Sequence, residues 1–502
     1  MIATRATMVV LCAALAAGAA QAETTLRIGL TAMPPSLGNP YGVIGTTANF
    51  VVPAFYDRLA QFDNDGVLRP QLALSWRQRD ALTWEFKLRP GVVFSNGERF
   101  TAAGAKRVLD YLRGPGGDGR MGAREPRALQ DVIAEDELTL VVTTPQPNAV
   151  LPHYLYIVPF AAPEALVADG ASSLATRTLG SGPFVAERWS SDRIVAKANR
   201  TSWRAPQASA LEMIVLPEPT SRVQGLISGQ IDVAIAVDPE QIEPLAAAGL
   251  RTAQRKPLRI LSVVFDTLRP GTPFADARVR QAVNYGVNRA AIAATLQGGL
   301  VEPASQGALP GTIGYDDTLE PYPYDPAKAR ALLREAGYPD GFSFTLEMPV
   351  GSTSGDTSIM QQVAADLARI GVRMIINPVP FAQFSKYFVQ GGAPGEALPS
   401  DYNLYGHDAL RSFHGAMGTH GCGWSAPRFC DPVIQPVIEA AAAAPTLAER
   451  TALTKQVLKY HRDVAESLTL FPILGLDGLG PRVTHWETHG DFIQFHAIAV
   501  AD

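Results

Sequence analysis

Thr83-Trp-Glu-Phe-Lys-Leu88 alternates strictly between polar and apolar residues, and Arg89-Pro90-Gly91 follows it as a turn signal. Such alternation has the two-residue period of a β-strand that buries one of its faces. Residues 26–30, near the N-terminus, alternate in the same way, and residues 137–143 have the composition of a further strand. The sequence therefore predicts at least three strands in the first third of the chain.

Helical patterns follow further along the chain, each with its own start and stop signals. Asp325 is suited to an N-cap, Pro326 to the first helical position and Gly337 to a C-terminal stop. Asp276 predicts a helix over residues 277–296 in the same way. A helical pattern over 360–370 ends at Gly371 and is followed by a strand pattern over 372–376. Helix, glycine and strand in succession indicate an α/β fold.

Length and charge limit the class of protein. The chain has 502 residues, with 43 Lys and Arg, 48 Asp and Glu, 39 prolines and 44 glycines. This length is too great for a single hydrophobic core and predicts two or more lobes. The acidic balance argues against nucleic acid and against anionic membrane as partners.

The first 22 residues have the pattern of a secretory signal peptide. Arg5 supplies a positive start, residues 8–17 form an apolar run too short to span a bilayer, and Ala20-Gln21-Ala22 fits a cleavage site. Cys12 follows Leu11 inside the apolar run, which argues against a lipoprotein. We therefore expect a mature chain that begins near Glu23 and lies in the periplasm.

Two cysteines remain after this cleavage, in Cys422-Gly-Trp-Ser-Ala-Pro-Arg-Phe-Cys430. An even pair in an oxidising compartment predicts a Cys422–Cys430 disulfide. The alternative is a metal site with nearby histidines, although no second cysteine pair and no Cys-x-x-Cys accompanies it.

Thr83–Leu88 belongs to a longer series of motifs that runs through the whole mature chain. The series comprises Phe55-Tyr-Asp-Arg-Leu59, Leu68-Arg-Pro-Gln-Leu-Ala-Leu-Ser-Trp76, Trp84-Glu-Phe-Lys-Leu-Arg-Pro-Gly-Val-Val-Phe94 with Asn96-Gly97 and Phe100-Thr-Ala102, Gly180-Ser-Gly-Pro-Phe184, Gly229-Gln-Ile-Asp-Val233, Pro273-Phe-Ala-Asp-Ala-Arg-Val-Arg-Gln-Ala282, and Tyr324-Asp-Pro-Ala-Lys-Ala-Arg-Ala-Leu-Leu333 with Ala336-Gly-Tyr-Pro-Asp-Gly341. In this order it resembles the extracellular solute-binding proteins of the peptide/nickel ABC importer family.

The resemblance implies a two-lobed α/β periplasmic binding protein, of type II and the large peptide-binding class, with two strands that cross a hinge. It places the crossings near residues 260–265 and 470–474, with lobe one at 23–265 plus 476–502 and lobe two at 266–475. It also implies a monomer that captures a small ligand, a short peptide or peptide-like amine, and delivers it to an inner-membrane ABC permease. Neither cofactor nor catalysis is expected.

Two patterns in the sequence bear on an enzymatic function. Gly351-Ser-Thr-Ser-Gly355 has the spacing of a nucleophile elbow, but Thr353 stands where serine belongs, so a loop is expected. His485-Trp-Glu-Thr-His489 lacks the His-Glu-x-x-His order of zinc helices and reads as loop or strand. We predict no catalytic residue and no metal ligand here, and a periplasmic hydrolase is the distant alternative.

A metal-chelate carrier of the same family is the nearer alternative. His407, His414 and His420 lie close in sequence, beside Asp408, and imidazole with carboxylate suits a first-row metal ion. The opposing interpretation is a polar loop that happens to contain histidines.

Two segments match the positions that line the ligand cleft in this family. The first contains Ala32, Met33 and Pro34, at the end of the opening strand. The second contains Tyr405-Gly406-His407-Asp408, where peptide-binding relatives carry an aromatic-x-x-Asp arrangement whose Asp accepts the ligand's α-ammonium. The resemblance predicts this role for Asp408, because a buried ammonium needs an anionic acceptor. Arg411 could take a ligand carboxylate, pair with Asp408 or point to solvent.

Overall fold

The computed structural model describes residues 24–42, 46–117, 124–350, 356–412 and 415–501. The predicted signal peptide, the 351–355 loop and His414 lie outside these ranges. Among the described residues, none of the helices combines the length and the apolar character that crossing a bilayer requires.

A seven-stranded mixed sheet forms the centre of lobe one. The opening strand, Thr25–Leu30, is parallel to Ala210–Val215, and its alternate residues Leu26, Ile28 and Leu30 are buried in the lobe-one core. In spatial order the strands are Phe184–Trp189, Arg193–Ala198, Ala210–Val215, Thr25–Leu30, Val233–Ala234, Gly475–Leu479 and Arg251–Arg255.

The alternating stretch Thr83–Leu88 lies in a second sheet of lobe one, which has four antiparallel strands. Trp84, Phe86 and Leu88 are buried, as the alternation predicts, and Gly91 takes the positive φ of 74° that ends the strand in a turn. The spatial order is Ala73–Asp80, Thr83–Leu88, Thr139–Thr143 and Asp131–Ala134.

Short strand pairs and helices complete lobe one. The pairs are Asp57–Arg58 with Pro159–Phe160, Ala60–Phe62 with Leu68–Pro70, Val483–His485 with Ala499–Val500, and Thr488–His489 with Phe492–Ile493. The α-helices are Thr46–Val51, Ala102–Arg113, Arg124–Arg127, Leu151–Leu155, Pro163–Asp169, Pro219–Ile227 and Ile242–Ala247.

Lobe two is built around a five-stranded sheet with its own hydrophobic core. The spatial order of its strands is Val372–Pro380, Phe342–Val350, Ala397–Asn403, Arg259–Phe265 and Ser467–Pro472. Its α-helices are Ala277–Gly286, Arg289–Leu296, Pro326–Glu335, Asp356–Ala368, Phe381–Gln390, Gln435–Ala442 and Leu447–Asp463.

Helix caps explain where the predicted helices start and where one prediction fails. Asp325 accepts a hydrogen bond from the amide of Lys328, 2.9 Å away, at the start of the predicted helix. The helix predicted over 277–296 is instead two helices, because Val287 is extended and the Asn288 side chain accepts from the Ala291 amide at 3.1 Å. Asn288 therefore starts a new helix where a continuous one was expected.

The crossings between the lobes are short. Arg251–Arg255 pairs in the lobe-one sheet, whereas Arg259–Phe265 pairs with two strands of the lobe-two sheet. The predicted boundary at residue 265 is therefore one strand too late, since the crossing lies between residues 255 and 259. The return crossing joins Ser467–Pro472 to Gly475–Leu479, so lobe one resumes at Gly475 and not at residue 476.

The two cysteines that follow the predicted signal peptide form the predicted disulfide. Cys422 and Cys430 are joined, with their Cα atoms 4.7 Å apart, in the loop region of lobe two that precedes Gln435–Ala442. The prediction of this pairing is confirmed.

Candidate functional site

The 405–411 segment of lobe two lies against lobe one. The Tyr405 hydroxyl donates to Asp491 at 2.6 Å, and the Tyr405 ring packs against Phe492. The Gly406 carbonyl lies 3.3 Å from Nδ1 of His153. A side chain at Gly406 would meet the His153 carbonyl 3.2 Å from its Cβ, so a glycine allows this close approach. The segment predicted from sequence to line the cleft therefore lies at the junction of the lobes.

His407 enters an aromatic cluster at this junction. The cluster, which we call the junction cluster, comprises Phe62, Tyr156 and Phe492 of lobe one and Tyr405 of lobe two. The His407 ring lies 4.5 Å from the Phe62 ring. Burial, reinforced by the neighbouring His153, lowers the pKa of His407 to about 4, so its imidazole is neutral at pH 7.

Asp408 has its counter-ion inside the protein. Its Oδ2 accepts from Nε and Nη2 of Arg450, at 2.9 and 2.6 Å, and from the Tyr154 hydroxyl at 2.6 Å. Its Oδ1 accepts from the Leu410 amide at 3.1 Å. The guanidinium of Arg450 thus occupies the place that the sequence prediction gave to a ligand ammonium. That role of Asp408 stays a prediction, and it now requires Arg450 to release the carboxylate.

Arg411 pairs across the junction with a residue of lobe one. Its Nη2 lies 2.6 Å from Oε2 of Glu125, and its guanidinium lies over the Tyr154 ring at 4.1 Å. Both side chains of the ion pair are mostly buried, at 16% and 15% exposure. The sequence offered a ligand carboxylate, Asp408 or solvent as the surroundings of Arg411. Glu125 was not among them, because it is far away in the chain. Arg411 as the ligand-carboxylate residue stays a prediction.

The other predicted cleft segment lies in lobe one. Ala32 is exposed, whereas Met33 and Pro34 are buried, and Met33 packs in the lobe-one core. Their contact with a ligand stays a prediction.

The histidines considered as metal ligands make separate contacts. His420 is buried in lobe two, with Nδ1 2.8 Å from Glu466, while His407 packs on Phe62. His485 and His489 both approach Glu487, at 3.3 and 3.1 Å. Within the described ranges, no group of three or more His, Cys, Asp or Glu side chains is arranged to hold a metal ion.

Ion pairs connect the two crossing regions. Arg255 of lobe one pairs with Asp491 at 2.6 Å and Asp477 at 3.3 Å, and Arg259 of lobe two pairs with Asp401 at 3.2 Å. Arg259 also lies 3.7 Å from Asp491, the acceptor of the Tyr405 hydroxyl. Asp491 therefore contacts charged or polar groups of both lobes.

Two buried donors beside the junction cluster were missed from the sequence. Arg58 lies with its guanidinium 4.8 Å from the centre of the Phe492 ring, and its Nε has no hydrogen-bond partner among the described residues. The Tyr156 hydroxyl is likewise buried without a partner in that part of the chain. The available signal was Arg58 itself, a basic residue beside Asp57 in the mostly apolar stretch from Phe50 to Phe62.

Two α/β lobes joined by two crossing segments, with a segment of one lobe closed onto the other, define a type II periplasmic solute-binding protein. Residues 67–399 match the model of the bacterial extracellular solute-binding proteins, family 5 middle, so the chain belongs to this family. It is accordingly the solute-binding component of an ABC importer. Proteins of this class bind peptides or small molecules, work with an ABC permease and are generally not enzymes.

Known relatives agree with this assignment. The glutathione-binding protein GsiB of Salmonella paratyphi A is 30% identical over 352 residues, which are 69% of this chain and 68% of that protein. The fold matches DppA of Helicobacter pylori in complex with the peptide STSA, with a TM-score of 0.79 and 19% identity over 95% of this chain and 98% of that one. It also matches NikA of Staphylococcus aureus in complex with Ni(L-His)2, with a TM-score of 0.79 and 16% identity over 95% and 100%.

Proposed function

We propose that this protein captures a short peptide or peptide-like amine between its lobes and delivers it to an inner-membrane permease. The observation that carries the proposal is the 405–411 segment, which contacts lobe one through Tyr405, His407, Asp408 and Arg411. A ligand held beside these contacts is held by both lobes at once. The 30% identity to glutathione-binding proteins supports a peptide-like ligand.

Calorimetric titration tests the ligand class. Purified protein, refolded to remove any bound solute, is titrated with glutathione, dipeptides, tripeptides and nickel with free histidine. We expect saturable binding of a peptide, compaction in small-angle scattering and recovery of the ligand unchanged. Failure of every peptide to bind would contradict the peptide class, and turnover of the bound ligand would contradict a carrier.

A metal chelate is the second candidate, and one feature of the junction favours it. The rings of His153 and His407 both pack on Phe62, at 5.0 and 4.5 Å, and burial lowers the pKa of each. Neutral imidazole is the form that binds metal ions. Binding of nickel with histidine, and of no peptide, in the titration above would select this candidate.

We further propose that the mature protein is a periplasmic monomer that begins near Glu23. The apolar run and the Ala20-Gln21-Ala22 site support this cleavage. Intact mass spectrometry of a periplasmic extract measures the mature N-terminus, and an uncleaved chain would contradict the proposal. Light scattering of the same protein measures its oligomeric state.

A further inference from the structure

Arg58 differs from every other buried arginine of the described residues. Arg204, for example, is paired with Asp57, and Arg280 donates to backbone carbonyls. The seven that have acceptors are Arg204, Arg222, Arg255, Arg280, Arg289, Arg428 and Arg450. Arg58 is 6% exposed, yet no hydrogen bond or ion pair to its guanidinium is found in the described part of the chain.

The surroundings of Arg58 place it at the junction of the lobes. Its guanidinium lies over Phe492, whose ring is 6.2 Å from the ring of Tyr156 and 5.7 Å from that of Tyr405 in lobe two. A Cβ at Gly406 of lobe two would lie 3.9 Å from the Tyr156 ring. Arg58 and the Tyr156 hydroxyl are therefore two buried donors beside the same aromatic ring, where the lobes meet.

Burial of a guanidinium without an acceptor is unfavourable. Removal of a charge from water costs free energy that only a counter-ion or hydrogen-bond acceptors recover. Burial lowers the pKa of Arg58 to about 10, with a partial opposing effect of Tyr156. The Phe492 ring offers a weak cation–π contact, which does not replace an anion.

We propose that Arg58 and Tyr156 form a subsite for a carboxylate of the ligand. The proposal rests on the proposed function, because the carboxylate is that of a peptide-like solute. A guanidinium presents parallel N–H donors that match a planar carboxylate, and one positive charge balances one carboxylate. The Tyr156 hydroxyl donates a further hydrogen bond. Arg411, which also lies at the junction, is already paired with Glu125.

Arg58→Met tests the subsite, with Arg99→Gln as the control. Arg99 is an exposed arginine paired with Glu137, so its replacement removes the same charge away from the junction. We expect Arg58→Met to weaken binding of glutathione, or of the peptide found by titration, by about tenfold to a hundredfold. The ligand-free variant should be as stable as the wild type or more so, because an unpaired buried charge is gone. Arg99→Gln should change neither the affinity for the ligand nor the stability of the ligand-free protein.

Two further measurements keep the test independent of how Arg58→Met folds. The C-terminal amide of the peptide should bind the wild type as weakly as the free acid binds Arg58→Met, because both remove one interaction. Tyr156→Phe should weaken binding by about threefold to tenfold with unchanged stability. If Arg58 is a structural brace, Arg58→Met will lose stability while Tyr156→Phe and the amide bind normally, which would overturn the subsite.

A simple carboxylate, acetate, tests this subsite independently of the proposed function. Ligand-free protein is unfolded thermally in sodium acetate and in sodium chloride at equal ionic strength. We expect acetate to raise the melting temperature of the wild type more than that of Arg58→Met. If no peptide binds but this difference is present, the peptide assignment fails and the subsite stands. If peptides bind but neither acetate, amide nor variant has an effect, the subsite is wrong.

Discussion

Two arginine–tyrosine pairs lie at the same junction of the lobes, and they differ in one respect. Arg450 and Tyr154 both donate to the Asp408 carboxylate. Arg58 and Tyr156 have no such acceptor among the described residues. The first pair is complete without ligand and therefore serves stability, whereas the second lacks an anion that a ligand can supply. An arginine and a tyrosine thus have a structural role where the protein itself supplies the carboxylate, and a binding role where the ligand must supply it.

Asp408→Asn would remove the charge that Arg450 and Tyr154 share, and we expect it to have the largest effect on stability. It leaves the buried guanidinium of Arg450 without its counter-ion, so the unfolding free energy should fall by about 3–5 kcal/mol. Denaturant unfolding of the ligand-free protein measures this loss. Asp169→Asn, which removes an exposed partner of Arg177, is the control and should cost under about 1 kcal/mol.

The same variant decides between two roles for Asp408. If Asp408 accepted a ligand ammonium, the substitution would leave ligand-free stability unchanged and weaken peptide binding. N-acetylation of the peptide would then cause a similar loss. Normal stability together with such a loss would contradict the structural role and restore the role predicted from sequence.

Acid should lower the stability of the folded protein through His407, which packs on the junction cluster beside Arg58 and Tyr156. The pKa of His407 is about 4 in the folded protein, against 6.5 for an ordinary histidine. The unfolded chain therefore binds the proton first, and stability that is complete above pH 6.5 is lost as the pH falls towards 4. We expect a loss of about 3 kcal/mol from His407. Unfolding curves across this range measure it, and His407→Asn should make the curve flatter.

An unchanged pH dependence in His407→Asn would show that another group is responsible. His461, buried in lobe two, is the comparison, because burial lowers its pKa to about 4 as well. Replacement of His461 should remove a similar part of the pH dependence of stability, and it should leave the junction of the lobes unchanged.

Much of the scaffold could be predicted, because local signals determine it. Alternation fixed the strand Thr83–Leu88, and the capping residue Asp325 fixed the start of a helix. The break at Asn288 was missed because an N-cap side chain and a mid-helix asparagine look alike without their hydrogen bonds. The position of the first crossing depends on strand pairing between distant segments, which no local pattern encodes.

The pairing of the candidate site residues could not be predicted from the sequence. The family resemblance of Tyr405-x-x-Asp408 singled out a segment that lies at the junction of the lobes, and its contact with a ligand stays a prediction. The partner of Asp408 is Arg450, 42 residues further on in the helix Leu447–Asp463, and the partner of Arg411 is Glu125 of the other lobe. Whether a carboxylate is free or paired depends on these long-range contacts, so the sequence alone could not separate a ligand acceptor from a structural acid.

Glu125→Gln gives the smallest expected effect and tests how closely the lobes are held. The Arg411–Glu125 pair is mostly buried and joins the two lobes, so its loss should shift the equilibrium away from the closed form by about 1 kcal/mol, or roughly fivefold. Small-angle scattering of ligand-free protein measures this change. Glu135→Gln removes an ion pair with Arg79 inside lobe one and should leave the closed fraction unchanged.

The most direct test of the contrast between the two pairs is a crystal structure of the protein with its ligand bound. We predict a ligand carboxylate within about 3 Å of the Arg58 guanidinium and the Tyr156 hydroxyl, the ordinary length of a charge-assisted hydrogen bond. Asp408 should keep Arg450 and Tyr154 as its partners. A ligand bound between the lobes with its ammonium on Asp408, and with Arg58 still lacking an acceptor, would contradict the account.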